Sequence, residues 1–504
     1  MTDRTMLSRR RFSQLLAGAA AAGWLELPYA ARLLGRRTNR LSWRAHRTAG
    51  AEGVWALDDI DGEIPADLHG TLYRTAPGES ERFGVTFQHL FDGDAYLSGY
   101  SFRDGKVTLR AGFLDQPRRL REQEAGKMLY SEFGTATPDG NGRDGKNQPS
   151  VNVIPWDGRL LGLSEGGHPT AIDPATLRTQ GGWDFHGTLP QQHSFTAHPK
   201  FDPATGLGYC YGIVQGPGMA LRVYRMERDG TLTNLFSLPQ RGYFMVHDMM
   251  LTAEHIVFLV PPVTFDLGQL MNGEGTIGDC LRYAEDRPLR VLVMRKDGEG
   301  VADEIDLDAG MVFHHGNARL DSDQLILDSL LSPSGDVLKF LHAWAADKMP
   351  RGQPVQATRL TIDLAKGELA SRDVFAEQEE FPRFDERHTG TEARYLYAAG
   401  QPPKDDGMAF QALVRHDRRE GTDEARRVAA HQTVAEPVFV PRNADAAEGD
   451  GWLLQLGYDG RRDQTFLDVV DAGTLDRAAR VWTGTHIPLG FHGTFAPDLF
   501  VAAE

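Results

Sequence analysis

The apolar positions fall into short runs, not into long amphipathic stripes. Segments at 71–74 (TLYR), 208–214 (GYCYGIV), 255–260 (HIVFLV), 290–294 (RVLVM) and 451–456 (GWLLQL) combine aliphatic and aromatic residues, and DG, NG and DP pairs punctuate the chain between them. Runs of that length bounded by turn residues predict β-strands. A 3.6-residue period is sustained in few places, and 120–130 and 422–430 are the best candidates for short helices. A chain of this size built from short strands predicts an all-β fold, as a large barrel, tandem sandwiches or a propeller. No repeat of fixed period chooses among them.

Composition narrows the function. The chain has 504 residues, 41% of them hydrophobic, which is enough for a sizeable core. Its formal charge of −16, from 54 Lys+Arg against 70 Asp+Glu, repels phosphate backbones. No basic stripe interleaved with aromatics relieves that, so nucleic acid is excluded as a partner. Cys210 and Cys280 could form at most one disulfide and read as buried free thiols.

The first fifty residues stand apart. They hold ten arginines, no lysine, and only Asp3 and Glu26 as acids. Ser8-Arg9-Arg10-Arg11-Phe12 followed by LLAGAAAA at 15–22 predicts a twin-arginine export signal, with an apolar run too short for an ordinary membrane span. That signal would carry a folded, metal-loaded protein to the periplasm or beyond. The competing reading is an Arg-rich leader lying on the domain or on a membrane, which leaves the protein cytoplasmic or membrane-peripheral. The division expected is a leader over 1–50 and a single domain over 51–504.

Candidate chemistry rests on four histidines in similar settings: His198 in SFTAHPKFDPATG, His247 in YFMVHDMMLT, His314 in MVFHHGNA and His492 in LGFHGTF. Each follows apolar or aromatic residues and precedes a turn, a small residue or a polar group. A lone histidine at a strand end is usually structural. Four from distant strands could converge on one transition metal, since neutral imidazole suits Fe, Zn, Cu and Ni. There is no HExxH or Cys/His finger, so the fold would have to assemble such a site. Three glutamates, Glu165 in LLGLSEGGHP, Glu380 in EEFPRF and Glu436 in VAEPVFVPR, stand where a carboxylate is costly without a partner. Carboxylates of that kind commonly take the second N–H of a ligating imidazole.

With these residues the chain resembles the carotenoid cleavage oxygenases, the family that also holds the retinal-pigment-epithelium isomerase and the lignostilbene dioxygenases. The matching pieces run in family order: GTLYRTAPG, FDGDAYL, LLGLSEGG with IDPATL, FTAHPKFDPATG, VHDMMLT, FHHGNA, EFPRFDERHTG, EPVFVPR and GFHGTF, across roughly residues 52–500. The resemblance implies a seven-bladed β-propeller capped by a dome of loops and short helices over the metal face. It implies one Fe(2+) per chain on His198, His247, His314 and His492, through which the four act in catalysis, with Glu165, Glu380 and Glu436 as their outer carboxylates. His314 is preferred over its neighbour His315 because the family's ligand directly follows the Phe. Dioxygen is the implied cosubstrate, and one C=C bond of a hydrophobic conjugated molecule is split into two carbonyl products.

Three other stretches bear on this reading. The segment 138–149 (PDGNGRDGKNQP) reads as an exposed loop, and 417–427 as a solvated charged face. The run from Phe258 to Met271 leaves a strand, turns at two prolines and continues with Val263, Phe265, Leu267 and Leu270. It reads as a buried dome loop, or else as a nonpolar border of the substrate mouth that touches a membrane. Other histidines, including His168, His193 and His388, read as structural or surface groups. The leading function is oxidative cleavage of a carotenoid or apocarotenoid. A lignostilbene-like dioxygenase acting on a hydroxylated stilbene or phenylpropanoid is second, and an isomerohydrolase or a metal-free binding scaffold are remaining alternatives.

Overall fold

Aliphatic and aromatic runs joined by tight turns can only bury one face each by stacking, and here they form antiparallel hairpins that stack as seven blades of a propeller. The computed structural model describes residues 40–503 except 141–144, 215–218, 241–242, 343–354 and 401–408. The expected export segment at 8–22 lies outside the described residues.

Blades two to six are four-stranded sheets in simple sequence order. Their first strands are Asn152–Trp156, Lys200–Asp202, Met250–Leu251, Met311–Asp321 and Glu379–Arg383. Blade seven starts with Gln432–Pro441 and takes in the N-terminal strand Ile60–Gly62, which pairs with Arg477–Trp482. Blade one combines Gly70–Pro77, Ala95–Arg103 and Lys106–Phe113 with the C-terminal strand Gly493–Pro497. The ring is therefore closed twice, each time by pairing the beginning of the chain with its end. From blade three round through blades seven and one to blade two, the first strands of neighbouring blades, with Gly493–Pro497 serving blade one, touch one another around the axis.

Apolar side chains fill the spaces between blades. Val257 and Leu259 of blade four, for example, pack with Leu325 and Leu327 of blade five, all of them almost fully buried. Long connections between and within blades carry the short helices and a two-stranded sheet, Val263–Phe265 with Leu281–Tyr283.

The strand runs expected at 71–74, 208–214, 255–260, 290–294 and 451–456 all lie in strands. The two helix expectations fare differently. The first appears as Pro117–Ala125, begun by a proline at its first turn and ended by Gly126 at φ 64. The second is corrected: Thr422–Arg427 is the outermost strand of blade six, paired with Ala412–Asp417 in the register Asp417↔Thr422. TDEARR is rich in helix formers but offers no apolar stripe, so the hairpin's cross-strand bonds win. Its charges suit an exposed sheet edge. The domain also begins earlier than residue 51. Helix Leu41–Ala45 packs its Ala45 into the core, and Arg44 and Arg47 reach Asp463 of blade seven at 3.0 and 2.7 Å. Cys210 and Cys280 are separate buried thiols.

Candidate metal centre

Each of the seven blades delivers one group to the axis. His198 and His247 stand just before the first strands of blades three and four, His314 lies within that of blade five, and His492 directly precedes Gly493–Pro497 of blade one. Glu380 and Glu436 lie on the first strands of blades six and seven, and Glu165 follows Arg159–Leu163 of blade two. The segment carrying His198 is irregular; a strand follows at Lys200–Asp202 and then a turn, closed by Gly206 N–H to the Asp202 carbonyl at 2.8 Å.

Pairing registers break at the functional positions on three of these strands: between Val312 and His315, between Glu380 and Arg383, and between Val434 and Pro437. An irregularity of this kind turns a side chain that regular alternation would send elsewhere. At Phe381 the backbone takes φ 59, rare for an aromatic residue, directly beside Glu380.

The four histidines offer nitrogens that all lie within 4.8 Å of one another. The Nε2 atoms of His198 and His247 are 3.1 Å apart, those of His247 and His314 3.3 Å, and those of His314 and His492 3.0 Å. Their opposite nitrogens face carboxylates. His314 Nδ1 is 2.6 Å from Glu380, His492 Nδ1 is 2.8 Å from Glu436, and His247 Nδ1 meets Glu165. An N–H donated to each carboxylate leaves Nε2 of that ring with a bare lone pair. Lone pairs that converge this closely with no proton between them repel, and a cation placed among them removes the repulsion. The donor set fits a borderline transition metal. His198 alone has no carboxylate beside its ring among the described residues, and its backbone N–H donates to Thr196.

Electrostatics favours neutral rings at His198 and His492 and ionised carboxylates at Glu380 and Glu436. Burial and the three neighbouring imidazoles hold His198 well below its ordinary range. Burial also brings His492 down to about 4, although Glu436 opposes it. At His314 burial pulls down too, but the Glu380 carboxylate more than reverses it. Burial would raise Glu436, yet Arg383, His492 and Arg74 together hold it at about 2. Glu380 and Glu436 are buried, whereas the Glu165 side chain is 40% exposed and lies on a cavity wall.

Several supporting groups escaped the sequence reading. Buried Arg74 pairs with Glu436 and donates to the Phe491 carbonyl at 2.9 Å, and Arg383 lies 3.4 Å from Glu436. Asp248 accepts from the His315 N–H at 3.0 Å and pairs with Lys200 at 2.8 Å, tying together the segments of His198, His247 and His314. The signals were present, since Arg74 interrupts an apolar strand and Asp248 adjoins His247. His315 turns to Ser329 at 2.9 Å, so His314 and not His315 joins the group.

A cavity of about 800 Å³ opens onto His247, His314, His492 and Glu165. Its walls are mainly apolar, with Phe91, Phe133, Phe195, Phe313, Phe381 and Phe491 among them. Of the loop 138–149, residues 138–140 are exposed as expected, whereas Gly145, Lys146 and Gln148 line the cavity and the Lys146 and Gln148 side chains are nearly inaccessible to solvent, which corrects the exposed reading for 145–149 only. The run 258–271 divides. Phe258, Leu259 and Val260 are core, while Leu267 and Met271 are 60% and 65% exposed.

The family profile described as retinal pigment epithelial membrane protein matches residues 47–497. This chain belongs to that family, the carotenoid cleavage oxygenases. It is 31% identical over 468 residues to the apocarotenoid-15,15'-oxygenase of Synechocystis sp., covering 90% of this chain and 95% of that protein. It is 27% identical over 476 residues to the resveratrol cleavage oxygenase 1 of Aspergillus fumigatus, covering 90% and 94%. The crystal structure of the cobalt-substituted Synechocystis apocarotenoid oxygenase superposes with a TM-score of 0.83 at 29% identity, covering 91% of this chain and 98% of that one. The propeller expected from the resemblance is thus the fold observed.

Proposed function

We propose that this protein is an oxygenase that holds one ferrous ion on His198, His247, His314 and His492 and splits a C=C bond of a carotenoid or apocarotenoid with dioxygen. The observation that carries the reading is the convergence of imidazole lone pairs on the wall of a largely apolar cavity of about 800 Å³. Iron there would supply the redox partner that lets dioxygen react with a closed-shell alkene. The protein's own share is positioning. The aromatic walls hold a flat conjugated chain and exclude water from it, so the depth of insertion selects which double bond meets the site. Glu165, Glu380 and Glu436 fix ring orientation and tautomer, and Arg74 and Arg383 keep Glu436 ionised. No side chain is needed as nucleophile or general base.

A second reading, cleavage of a hydroxylated stilbene, is favoured by the polar residues that interrupt the cavity wall and by the resemblance to a resveratrol-cleaving enzyme. One experiment separates the two. Protein purified anaerobically without residues 1–39 is assayed for iron, then incubated in air with carotenoids, apocarotenals and hydroxystilbenes, and products are identified by mass. About one iron per chain with aldehydes from a polyene supports the first reading; turnover of stilbenes alone supports the second. Protein that stays iron-free and inactive after ferrous reconstitution overturns both.

The same proposal extends to location. The twin-arginine segment directs export, and exposed Leu267 and Met271, with Tyr243 and Ile277 at 40% and 39% exposure beside the cavity, rest against a lipid surface from which an apolar substrate enters. A reporter fused to residues 1–50 that stays in the cytoplasm would refute the export half of this.

A further inference from the structure

The segment that presents Glu380 to His314 has a strained backbone. Gln378 and Phe381, on either side of Glu379 and Glu380, take φ 61 and 59, angles that non-glycine residues hold only where their surroundings enforce them. The two glutamates anchor this segment in opposite directions. Glu380 accepts from the Phe381 N–H at 2.9 Å and reaches His314 Nδ1 at 2.6 Å, on the side of the axis. Glu379 turns the other way, across Gly400 of the second strand of blade six, Tyr395–Gly400, to His416 of the third, where its Oε2 lies 2.7 Å from Nε2. Glycine is required there, because a Cβ at 400 would lie 3.2 Å from Glu379 Cγ and 2.8 Å from Val414.

His416 has a second acceptor. Its Nδ1 is 2.7 Å from Asp423 of the outermost strand, and both His416 and Glu379 are almost fully buried. A neutral imidazole has one N–H and one lone pair, so it satisfies one of these carboxylates and turns a lone pair on the other. Only the doubly protonated ring donates to both. Burial alone would lower His416, but the bonds to Glu379 and Asp423 more than reverse it. The ring's other neighbours are apolar: Leu396 lies opposite it on the second strand, and Phe375 of blade five packs edge-on at 5.0 Å. Further charge comes from Arg418, stacked on Phe375 at 3.6 Å, and from Asp373, 3.5 Å from Arg418.

We propose that His416 is a positioning residue of the metal centre, clamping through Glu379 the segment that holds Glu380 against His314. It acts through two adjacent residues of one strand and touches none of the four axial histidines. The folded ring titrates above its ordinary 6.5, so the clamp is complete below 6.5 and is lost as pH rises through the folded value. The inference rests on the reading of the axial histidines as a metal site, but it is tested without turnover.

Ferrous protein prepared anaerobically is mixed with a ferrous chelator and metal loss is timed. Hydrogen exchange of the amides at 378–383 is followed at neutral pH in the same proteins and in metal-free protein. Glu379→Ala should lose metal about tenfold faster than the wild type and exchange faster at 378–383. Asp423→Ala keeps the Glu379 bond and removes a half-exposed partner, so its metal loss should stay within about twofold of the wild type. Glu379→Gln keeps the shape and can donate to a neutral ring, so it should restore retention at neutral pH. Raising the pH from neutrality should speed metal loss in the wild type and not in Glu379→Gln; if Glu379→Ala does not fold, this comparison decides. Equal rates in Glu379→Ala and Asp423→Ala overturn the proposal, and so does the same alkaline acceleration in wild type and Glu379→Gln. Protein that takes up no metal removes the metal-site reading, and the exchange at 378–383 then decides whether His416 holds the segment. Protein that shows the expected pattern yet cleaves nothing leaves this inference standing and removes the oxygenase reading instead.

Discussion

Glu436 and Glu132 are both almost fully buried beside cations, yet one is held near 2 and the other is pushed up to about 7. Burial acts the same way on both; the company differs. Glu436 has Arg383, His492 and Arg74 around it and no competing acid in contact, whereas Glu132 shares Lys146 with Asp94 and Glu122. The axis thus keeps anions that fix the tautomers of neutral rings. The cluster around Lys146, where Glu79, Asp94, Glu122 and Glu132 face Arg82, Arg119 and Lys146, keeps an excess of acid. What a buried carboxylate does is set by the balance of charge around it and not by its depth.

The strongest way to break the comparison is to remove an axial lone pair. His492→Ala should abolish bound metal and activity together while the propeller persists, read by elemental analysis and circular dichroism; a variant that keeps stoichiometric metal would refute its role as a ligand. Next in size, Glu380→Ala should weaken metal retention about 10–100-fold and slow turnover without moving the cleavage position. A shifted product mass at full metal content would count against it. Lys146→Met tests the other side. Stranding three carboxylates without their ammonium should cost about 3–5 kcal/mol in denaturant unfolding, with metal content unchanged.

The two regions should also respond oppositely to pH. Glu436 lies below its ordinary 4.5, so its contribution to stability is complete above 4.5 and is lost as pH falls towards 2. Glu132 lies above 4.5, so the native state keeps a proton that the unfolded chain has released, and stability falls as pH rises from 4.5 to about 7. Glu132→Gln should flatten that upper slope, by about 1–3 kcal/mol at pH 7, and leave the acid limb alone. Stability curves of the two proteins that run parallel from pH 4.5 to 7 would contradict this assignment. The smallest effect is expected at the surface. Leu267→Ser with Met271→Ser should change stability by less than about 0.5 kcal/mol and lower retention on lipid vesicles; unchanged retention removes the proposed membrane contact.

The same contrast explains what could be read from the chain. Each axial residue sits inside a short run whose neighbours mark it: a Phe before His314, a Gly-Phe before His492, an Ala before Glu436 and a Pro after it. Strand runs such as 255–260 were legible because alternating packing on both blade faces demands aliphatic and aromatic residues there. The cluster around Lys146 was not legible. Its members come from 79, 82, 94, 119, 122, 132 and 146, spread over a helix, a strand approach and loops with nothing in the sequence to link them, and only the fold reveals that their charges are buried together. The edge strand Thr422–Arg427 was misjudged for a related reason, since its composition favours a helix and its partner strand, invisible locally, decides otherwise.

Closing the ring by pairing Gly493–Pro497 with Gly70–Pro77 has a consequence for the order of synthesis. His492 follows His314 by 178 positions and adjoins the closing strand. A nascent chain that has emerged as far as blade six therefore presents three imidazoles on an open, unlatched arc. The fourth arrives with the strand that latches the circle. Cofactor uptake and circularisation then become one event, and a ribosome-stalled chain lacking the last strand should neither retain the ion nor resist protease.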